Sequence, residues 1–578
     1  MTFKTMAVPR AWNPELVLLV ASVAMLLLGN RRFLSLALAG RDAADASAWL
    51  FGAALVLALL AINYLLLALL AWGRLFKPVL AVILLLTAGA AHFIDSFGTF
   101  IDPSMLRNAL HTHWGEASEL VGLRLASALL LGAVLPAALL MRLPLARRPW
   151  PRALAARGGA LALALLALVA AIWVAFQPLA SLMRSQRELR YLVTPANVLW
   201  SATALARRTS QEPAGPLVAV GRDAQPGPTL ARAPRPRVVV LVVGETARAA
   251  NWGLNGYARQ TTPELARLPL INFAGATSCG TDTETSLPCM FAAVGRRQYD
   301  ERRIHGSENL LHVLAHAGVA VHWRDNQSGC KGVCAGFAQD TVAALAPPGT
   351  CTGASCYDEG LLHGLEALLP VGTVAGASAT GGMNGTNGTG GAGGLAAKFI
   401  VLHQIGNHGP AYHRRAPAAF KRFQPACEQD DLRLCDAQSI VNAYDNALLY
   451  TDHVLAALIA RLQARAAEID SAVIYVSDHG ESIGEHGLFL HGVPFAFAPE
   501  VQTQVPMVMW LSSGFAEARG LDAGCLKGHA GGAGVRHDHL FHTVLGLFDV
   551  QTGARAPEWD LTHGCTRGAP VDLARAAG

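Results

Sequence analysis

A chain of 578 residues, 52% hydrophobic and only 15% charged, is longer than one typical domain and too apolar for a wholly soluble enzyme. The net charge of +5 is diluted over that length, which argues against a nucleic-acid-binding surface and suits contact with an anionic membrane face. The apolar excess sits in five blocks before residue 180: Leu16 to Leu28, Trp49 to Trp72, Val79 to Phe97, Leu120 to Met141 and Ala153 to Phe176. Most approach or exceed the roughly 20 residues that cross a bilayer as a helix, and the first is short unless it continues past Arg31 and Arg32. Five transmembrane helices are therefore expected over residues 1–180. A cleaved signal peptide is the competing reading of the first block, but further spans follow it and no small-residue cleavage site is evident.

Basic residues set the expected orientation. Arg74 and Lys77 lie between the second and third blocks, and Arg142, Arg147, Arg148, Arg152 and Arg157 lie between the fourth and fifth, which marks both loops as cytoplasmic. An odd number of spans then places everything after Phe176 outside the cytoplasm. Arg31, Arg32 and Arg41 in the first external loop weaken the asymmetry without reversing it. Between the third and fourth blocks runs a polar external loop in which Asn108, Thr112 and Glu116 recur every four residues, a spacing that would line one face of a helix at the membrane surface. Spacing alone fits a solvated helix face equally well.

After the fifth block, Arg184 to Arg208 mixes basic residues with Leu, Tyr and Trp as an interfacial helix would, and Glu212 to Arg237 is rich in Pro, Gly and Ala and reads as a linker. Residues 181–236 thus separate the spans from a domain at 237–578. There, short β-rich runs (Val238 to Val243, Phe399 to His403, Val473 to Ser477, Val505 to Leu511) alternate with helical stretches such as Ser439 to Arg465. That pattern predicts an α/β domain with a mainly parallel sheet between helices. Gly372 to Gly394 is low-complexity and is expected to be a surface insertion without a catalytic role.

All ten cysteines follow residue 278. They fall into short-range pairs, Cys279 with Cys289, Cys330 with Cys334, Cys351 with Cys356 and Cys427 with Cys435, leaving Cys525 and Cys565 to each other. An even, clustered set on the external side reads as a disulfide framework made in an oxidising compartment. Structural zinc ribbons would need matched C-x-x-C pairs, which are lacking.

The chemistry concentrates in Thr277 to Met290, which carries four threonines and two serines around a cysteine pair. A hydroxyl in a clamped loop is a candidate nucleophile, yet it attacks poorly at neutral pH unless a metal or base takes its proton. Glu245 ends the apolar run V-V-V-L-V-V-G, and Asp478 and His479 end V-I-Y-V-S. Strand-end donors of this kind, together with a hydroxyl from the loop, would make a tetrahedral metal site. As a lone dipeptide, Asp478-His479 would more often be structural; the combination reverses that. His403, His408, His486, His491, His537, His539 and His542 gather in the same half. His408 and His491 neighbour glycines in turn-like segments and suit phosphate contact, proton donation or a second metal. His403 ends a strand and could support the site indirectly, while His537 to His542 precede a helix, where capping is as plausible as chemistry.

Together G-E-T-A-R-A-A-N-W-G-L-N-G-Y, S-C-G-T-D-T-E-T-S-L-P-C-M-F, W-R-D-N-Q-S-G-C-K-G-V-C, L-H-Q-I-G-N-H-G-P-A-Y, N-A-Y-D-N-A-L-L-Y-T-D and S-D-H-G-E-S-I-G-E-H-G-L-F-L-H-G resemble the lipid A phosphoethanolamine transferases, a membrane-anchored branch of the alkaline phosphatase and sulfatase superfamily that includes polymyxin-resistance enzymes. The resemblance implies Thr283 as nucleophile and Glu245, Thr283, Asp478 and His479 as ligands of one tightly held zinc, with a second zinc as the alternative at the phosphate side. It further implies Lys331, His408 and His491 as contacts of the substrate phosphate, and Asn108, Thr112 and Glu116 as the group that binds the donor lipid. A multi-pass inner-membrane protein with a periplasmic catalytic domain, phosphatidylethanolamine as donor, lipid A as acceptor, contact with membrane lipids and a monomeric state are its further implications. Asp282 and Glu284 depart from the expected pattern by placing acids beside the nucleophile. Rival readings are transfer to another acceptor (a lipopolysaccharide core sugar, a periplasmic glucan or a protein), a phosphohydrolase, and a non-catalytic lipid receptor on the same fold.

Overall fold

The computed structural model describes residues 11–566 apart from 43, 113, 210–214, 346, 348, 353–354, 371–396 and 532–533, so the glycine-rich segment Gly372 to Gly394 lies outside the described residues. Its contacts divide the chain into two units, one formed by 1–110, 120–210 and 486–489 and the other by 111–119, 211–485 and 490–578.

The first unit is helical. Ala46–Leu70, Gly73–Phe97, Leu123–Arg142 and Trp150–Val174 are long and apolar enough to cross a membrane. The short first block does continue past its arginines, but as a bent pair: Pro14–Gly29 turns by 63° into Arg31–Ala37. Pro136 near the start of Leu135–Arg142 lacks an N–H, and the preceding residues Leu130–Val134 widen into a π turn. Polar groups tie the helices together. Arg157 donates to Glu15 at 2.9 Å and to the carbonyl oxygens of Ala68 and Ala71, while Tyr64 donates to the same carboxylate at 2.6 Å. Lys77 donates to the carbonyls of Met141 and Leu143, satisfying acceptors that a helix end leaves open. The stretch read as an interfacial helix forms Phe176–Ser185, a short 3-10 turn and Ala196–Thr209.

One expectation about the external loop is corrected. Asn108, Thr112 and Glu116 do not share one helix: Asn108 lies on Pro103–His111, Glu116 on Trp114–Leu120, and Thr112 in the break between them. Residues 111–119 belong to the second unit, within which His111 meets Glu284, Glu116 approaches His408 and Glu119 pairs with Arg415.

The second unit is built on a seven-stranded sheet. Its strands in chain order are β1 (Arg237–Gly244), β2 (Ile271–Thr277), β3 (Ala320–Asp325), β4 (Ala338–Thr341), β5 (Ala397–His403), β6 (Asp470–Ser477) and β7 (Gln504–Leu511). Across the sheet they run β2-β7-β6-β1-β5-β3-β4, all parallel in pairing except β7, which is antiparallel to both its neighbours. Every residue of β1 and β6 is buried, which is why these strands read as continuous apolar runs: a parallel sheet covered on both faces has no solvent face to mark with polar residues. The long helix Ala437–Ala464 covers the sheet, its N-cap Asp436 accepting from the Ser439 N–H. Residues 215–236, expected as a linker, are instead packed on this unit. Gln225–Pro226 pairs with Val550–Gln551, and Ala224 and Leu230 join its core. The four short-range cysteine pairs form disulfides as their spacing suggested, and the two left over, Cys525 and Cys565, are bonded to each other.

Candidate active site

Strand direction explains where the polar residues meet. Because β7 is antiparallel to both β2 and β6, strands β2, β6, β1, β5 and β3 all end at the same edge of the sheet. Glu245 follows the end of β1, and Asp478 and His479 follow β6, whose Ser477 is in register with Gly244. His403 closes β5 and Asp325 closes β3, in register with each other. A carboxyl-end crevice of this kind is where open α/β sheets place their ligands.

Thr283 is brought to the same point by the loop after β2. The Ser278 N–H donates to the Thr503 carbonyl, the Cys279 N–H to Nδ1 of His537, and the Cys279–Cys289 disulfide closes the loop around the helix Thr283–Met290. Asp282 caps that helix by accepting from the Thr285 N–H at 2.9 Å, leaving Thr283 in its first turn. The Thr283 hydroxyl lies 3.1 Å and 3.3 Å from the two Glu245 carboxylate oxygens and 3.3 Å from Nε2 of His479. Nε2 of His479 is in turn 3.4 Å from both Glu245 Oε1 and Asp478 Oδ2.

Glu245, Asp478 and His479 are fully buried, and their ligand atoms all lie within 4.8 Å of one another. Burial and the neighbouring Asp478 push the Glu245 carboxyl well above the usual range, burial raises Asp478, and burial lowers His479 to about 3. Asp478 accepts from the Thr246 and His479 N–H groups through Oδ1, whereas its buried Oδ2 has no hydrogen-bond partner. Two neighbouring buried carboxylates, one with an orphaned oxygen, and a neutral imidazole fit a divalent cation with mixed N and O ligands.

The predicted phosphate contacts lie around this cluster. The His491 ring is 4.4 Å from that of His479 and 5.6 Å from that of His408. Burial pulls the His491 imidazole down, but the charge and the 2.8 Å hydrogen bond of Glu481 outweigh it and raise its affinity for a proton. Glu481 is steadied on its other oxygen by the Tyr412 hydroxyl at 2.6 Å. His408 is driven well below the usual range, by burial and then by the charge of His491. Lys331 stands in the Cys330–Cys334 loop at φ 48°, with Nζ donating to Ser328 Oγ at 2.9 Å. Glu116 approaches Nε2 of His408 to 3.9 Å. Asn108 belongs to the helical unit and Thr112 to the α/β unit.

Several residues at the site escaped sequence reasoning. Gln327 donates to Glu245 Oε2 at 3.2 Å, and the Asn407 N–H donates to the Glu245 carbonyl at 3.0 Å. Asp325 pairs with Nδ1 of the buried His403 at 2.8 Å, and Arg415 donates to the His408 carbonyl at 2.7 Å while pairing with Glu119 at 2.5 Å. Position at a strand end could have pointed to Asp325; nothing local marks Arg415. His537 proves to be a positioning group for the loop, its Nε2 donating to the Ser477 carbonyl at 2.9 Å. His539 lies at Arg536, and His542 receives the Ala556 N–H, neither of them bonded to Glu245, Asp478 or His479.

The chain is similar to known proteins over most of its length. Residues 237–550 match the sulfatase family and residues 59–210 match the family described as phosphoethanolamine transferase EptA/EptB. The chain is 36% identical over 492 residues to phosphoethanolamine transferase EptA of Salmonella typhimurium, covering 84% of this chain and 85% of that one. It is likewise 36% identical over 513 residues to phosphatidylethanolamine transferase Mcr-1 of Escherichia coli, covering 87% of each. In three dimensions it is similar to the integral membrane lipooligosaccharide phosphoethanolamine transferase A of Neisseria meningitidis, with a TM-score of 0.88 and 32% identity over 96% of this chain and 99% of that one.

Proposed function

This chain belongs to the phosphoethanolamine transferase family of integral inner-membrane enzymes, with its sulfatase-like domain in the periplasm, and we propose that it moves phosphoethanolamine from phosphatidylethanolamine to a phosphate of lipid A in two displacements at Thr283. The observation that carries this reading is the buried convergence of the Thr283 hydroxyl on Glu245, Asp478 and His479. Zinc is the ion this donor set suits, held by Glu245, Thr283, Asp478 and His479, and when bound it lowers the proton affinity of a hydroxyl and offsets charge on a reacting phosphate.

The protein's own groups prepare each displacement. The Thr283 hydroxyl donates to Glu245, which holds its oxygen in one orientation inside a site that excludes bulk water. Thr283 Oγ attacks the phosphorus of the donor in line as its proton passes to Glu245, the bond from phosphorus to the glycerol oxygen breaks, and diacylglycerol leaves with a proton. His491 is the better placed donor of that proton. Its Nδ1 is committed to Glu481, so the proton comes from Nε2. Lys331 and His408 steady the phosphate oxygens. The phosphoethanolamine ester left on Thr283 is then attacked by an oxygen of a lipid A phosphate, and the threonine oxygen leaves and recovers its proton. Asn108, Thr112 and Glu116 are assigned to the donor lipid. Residues 1–180 anchor the enzyme, 181–236 connect with their part from 215 onward packed on the catalytic unit, and 237–578 carry the chemistry, acting as a monomer.

The test is mass spectrometry of lipid A from a sensitive Gram-negative host expressing the chain or its Thr283→Ala variant. One added phosphoethanolamine unit with the wild type, and none with the variant although its metal content persists, is expected. Modification by the variant would remove Thr283 as nucleophile; no modification by a folded, metal-loaded wild type would move the acceptor to the core sugars.

A further inference from the structure

The two acids beside the nucleophile have different fates. Asp282 is spent on the helix cap, whereas Glu284 caps nothing. Its side chain is only 9% exposed, with Oε1 2.6 Å from Nδ1 of His111 and Oε2 without any hydrogen-bond partner. Lys331 Nζ stands 3.9 Å from Oε2 and is already bonded to Ser328. A buried carboxylate oxygen left without a donor carries its desolvation penalty uncompensated, so the site calls for a further cation that brings its own N–H groups. Glu116 repeats the pattern: Oε2 approaches His408 while its buried Oε1 has no partner.

Geometry limits what that cation is. Glu284 is the chain neighbour of the attacking Thr283 and its free oxygen faces the lysine assigned to the phosphate, so the missing group must be tethered within a few bonds of phosphorus. It must also be compact enough to share the space with Lys331. In a phosphoethanolamine head, one oxygen and two carbons separate phosphorus from a primary ammonium that carries three N–H donors. Building on the transferase reading, we propose that Glu284 is a specificity-determining residue that receives the ammonium of the transferred phosphoethanolamine through Oε2, while His111 holds the carboxylate through Oε1. A methylated ammonium lacks the donors and needs more room; an uncharged glycerol head lacks the charge.

The experiment uses the full-length enzyme in detergent micelles with fluorescent phosphatidylethanolamine, its N,N-dimethyl analogue and phosphatidylcholine, reading diacylglycerol release. The wild type prefers the primary ammonium. Glu284→Gln keeps the shape and loses the charge; its kcat/KM for phosphatidylethanolamine falls roughly tenfold to a hundredfold, mainly through KM, from the loss of a charge-assisted hydrogen bond. The methylated donors lose less, so the preference narrows. His111→Asn retains the carboxylate and keeps the wild-type order of donors. The proposal is overturned if Glu284→Gln keeps the preference, whether its rates stay unchanged or fall equally on all donors, since an equal fall would make Glu284 a support for Thr283 or Lys331. Loss of preference in His111→Asn to the same extent would also overturn it. Failure of the transferase reading looks different: the wild type itself releases no diacylglycerol from phosphatidylethanolamine, and the assignment of Glu284 falls with it.

Discussion

Gly480 directly follows His479, and a methyl group added there tests whether the strand-end turn sets the geometry of the site. A Cβ at this position would lie 2.1 Å from the carbonyl oxygen of Val501, 3.0 Å from its carbonyl carbon and 3.2 Å from Gln502 Cα. Real Cβ contacts essentially never fall under 3.0 Å, and the obstructing atoms here are backbone. They are also tied down, because the Gly480 N–H donates to the Gln502 carbonyl and the Glu481 N–H to the Val501 carbonyl, each at 2.9 Å. Gly480→Ala therefore has to move the turn by about 1 Å, carrying His479 on one side and Glu481 on the other, and a misplacement of that size costs on the order of a hundredfold in rate. Overpacking adds about 1–3 kcal/mol of destabilisation. Turnover of fluorescent phosphatidylethanolamine, metal content and thermal denaturation should all be measured on the purified variant. A loss of about a hundredfold in turnover with reduced metal content is expected. Wild-type turnover, metal content and melting in Gly480→Ala would refute the reasoning that this turn positions the site.

Two further outcomes follow from buried carboxyl groups. Asp452 accepts the Glu264 and Leu265 N–H groups at 2.9 Å each, yet burial pushes its carboxyl up to about 7. In the unfolded chain it ionises near 4, so between about pH 4 and 7 the unfolded state holds fewer protons and stability falls as pH rises, by on the order of 4 kcal/mol. Asp452→Asn should flatten that slope in melting temperature against pH, and an unchanged slope would place the pH dependence elsewhere. Removing the metal with a chelator leaves Glu245 and Asp478, both raised by burial, facing each other. The stripped protein should lose transfer and melt lower as pH rises above the ordinary carboxylate range, the direction set by forcing both raised carboxyls to ionise, and zinc should restore both properties. Full transfer after verified metal loss would show that the donor set works alone.

Much of this protein is legible without coordinates, for a physical reason. Spans are long apolar runs because lipid admits little else, and the middles of β1 and β6 are apolar runs because a sheet covered on both faces leaves them no solvent side. The donors Glu245, Asp478 and His479 stand where those runs stop, and the short disulfides join cysteines close in the chain. Strands with mixed faces were not legible: Ile271–Thr277, Ala320–Asp325 and Ala338–Thr341 expose part of their length, so their patterns resemble loops. The break at Thr112, the packed segment 215–236 and the pairings that surround the chemistry depend on residues remote in the chain. His111 meets Glu284 across 173 positions and Glu119 meets Arg415 across 296, and no local propensity records such a meeting. Sequence by itself determined which residue types reach the carboxyl edge of the sheet, because strand ends and motifs are local. The Asp282 helix cap is local, whereas only the tertiary structure decided that Glu284 keeps a buried oxygen without a donor, because the groups around that carboxylate, His111 and Lys331, come from distant parts of the chain.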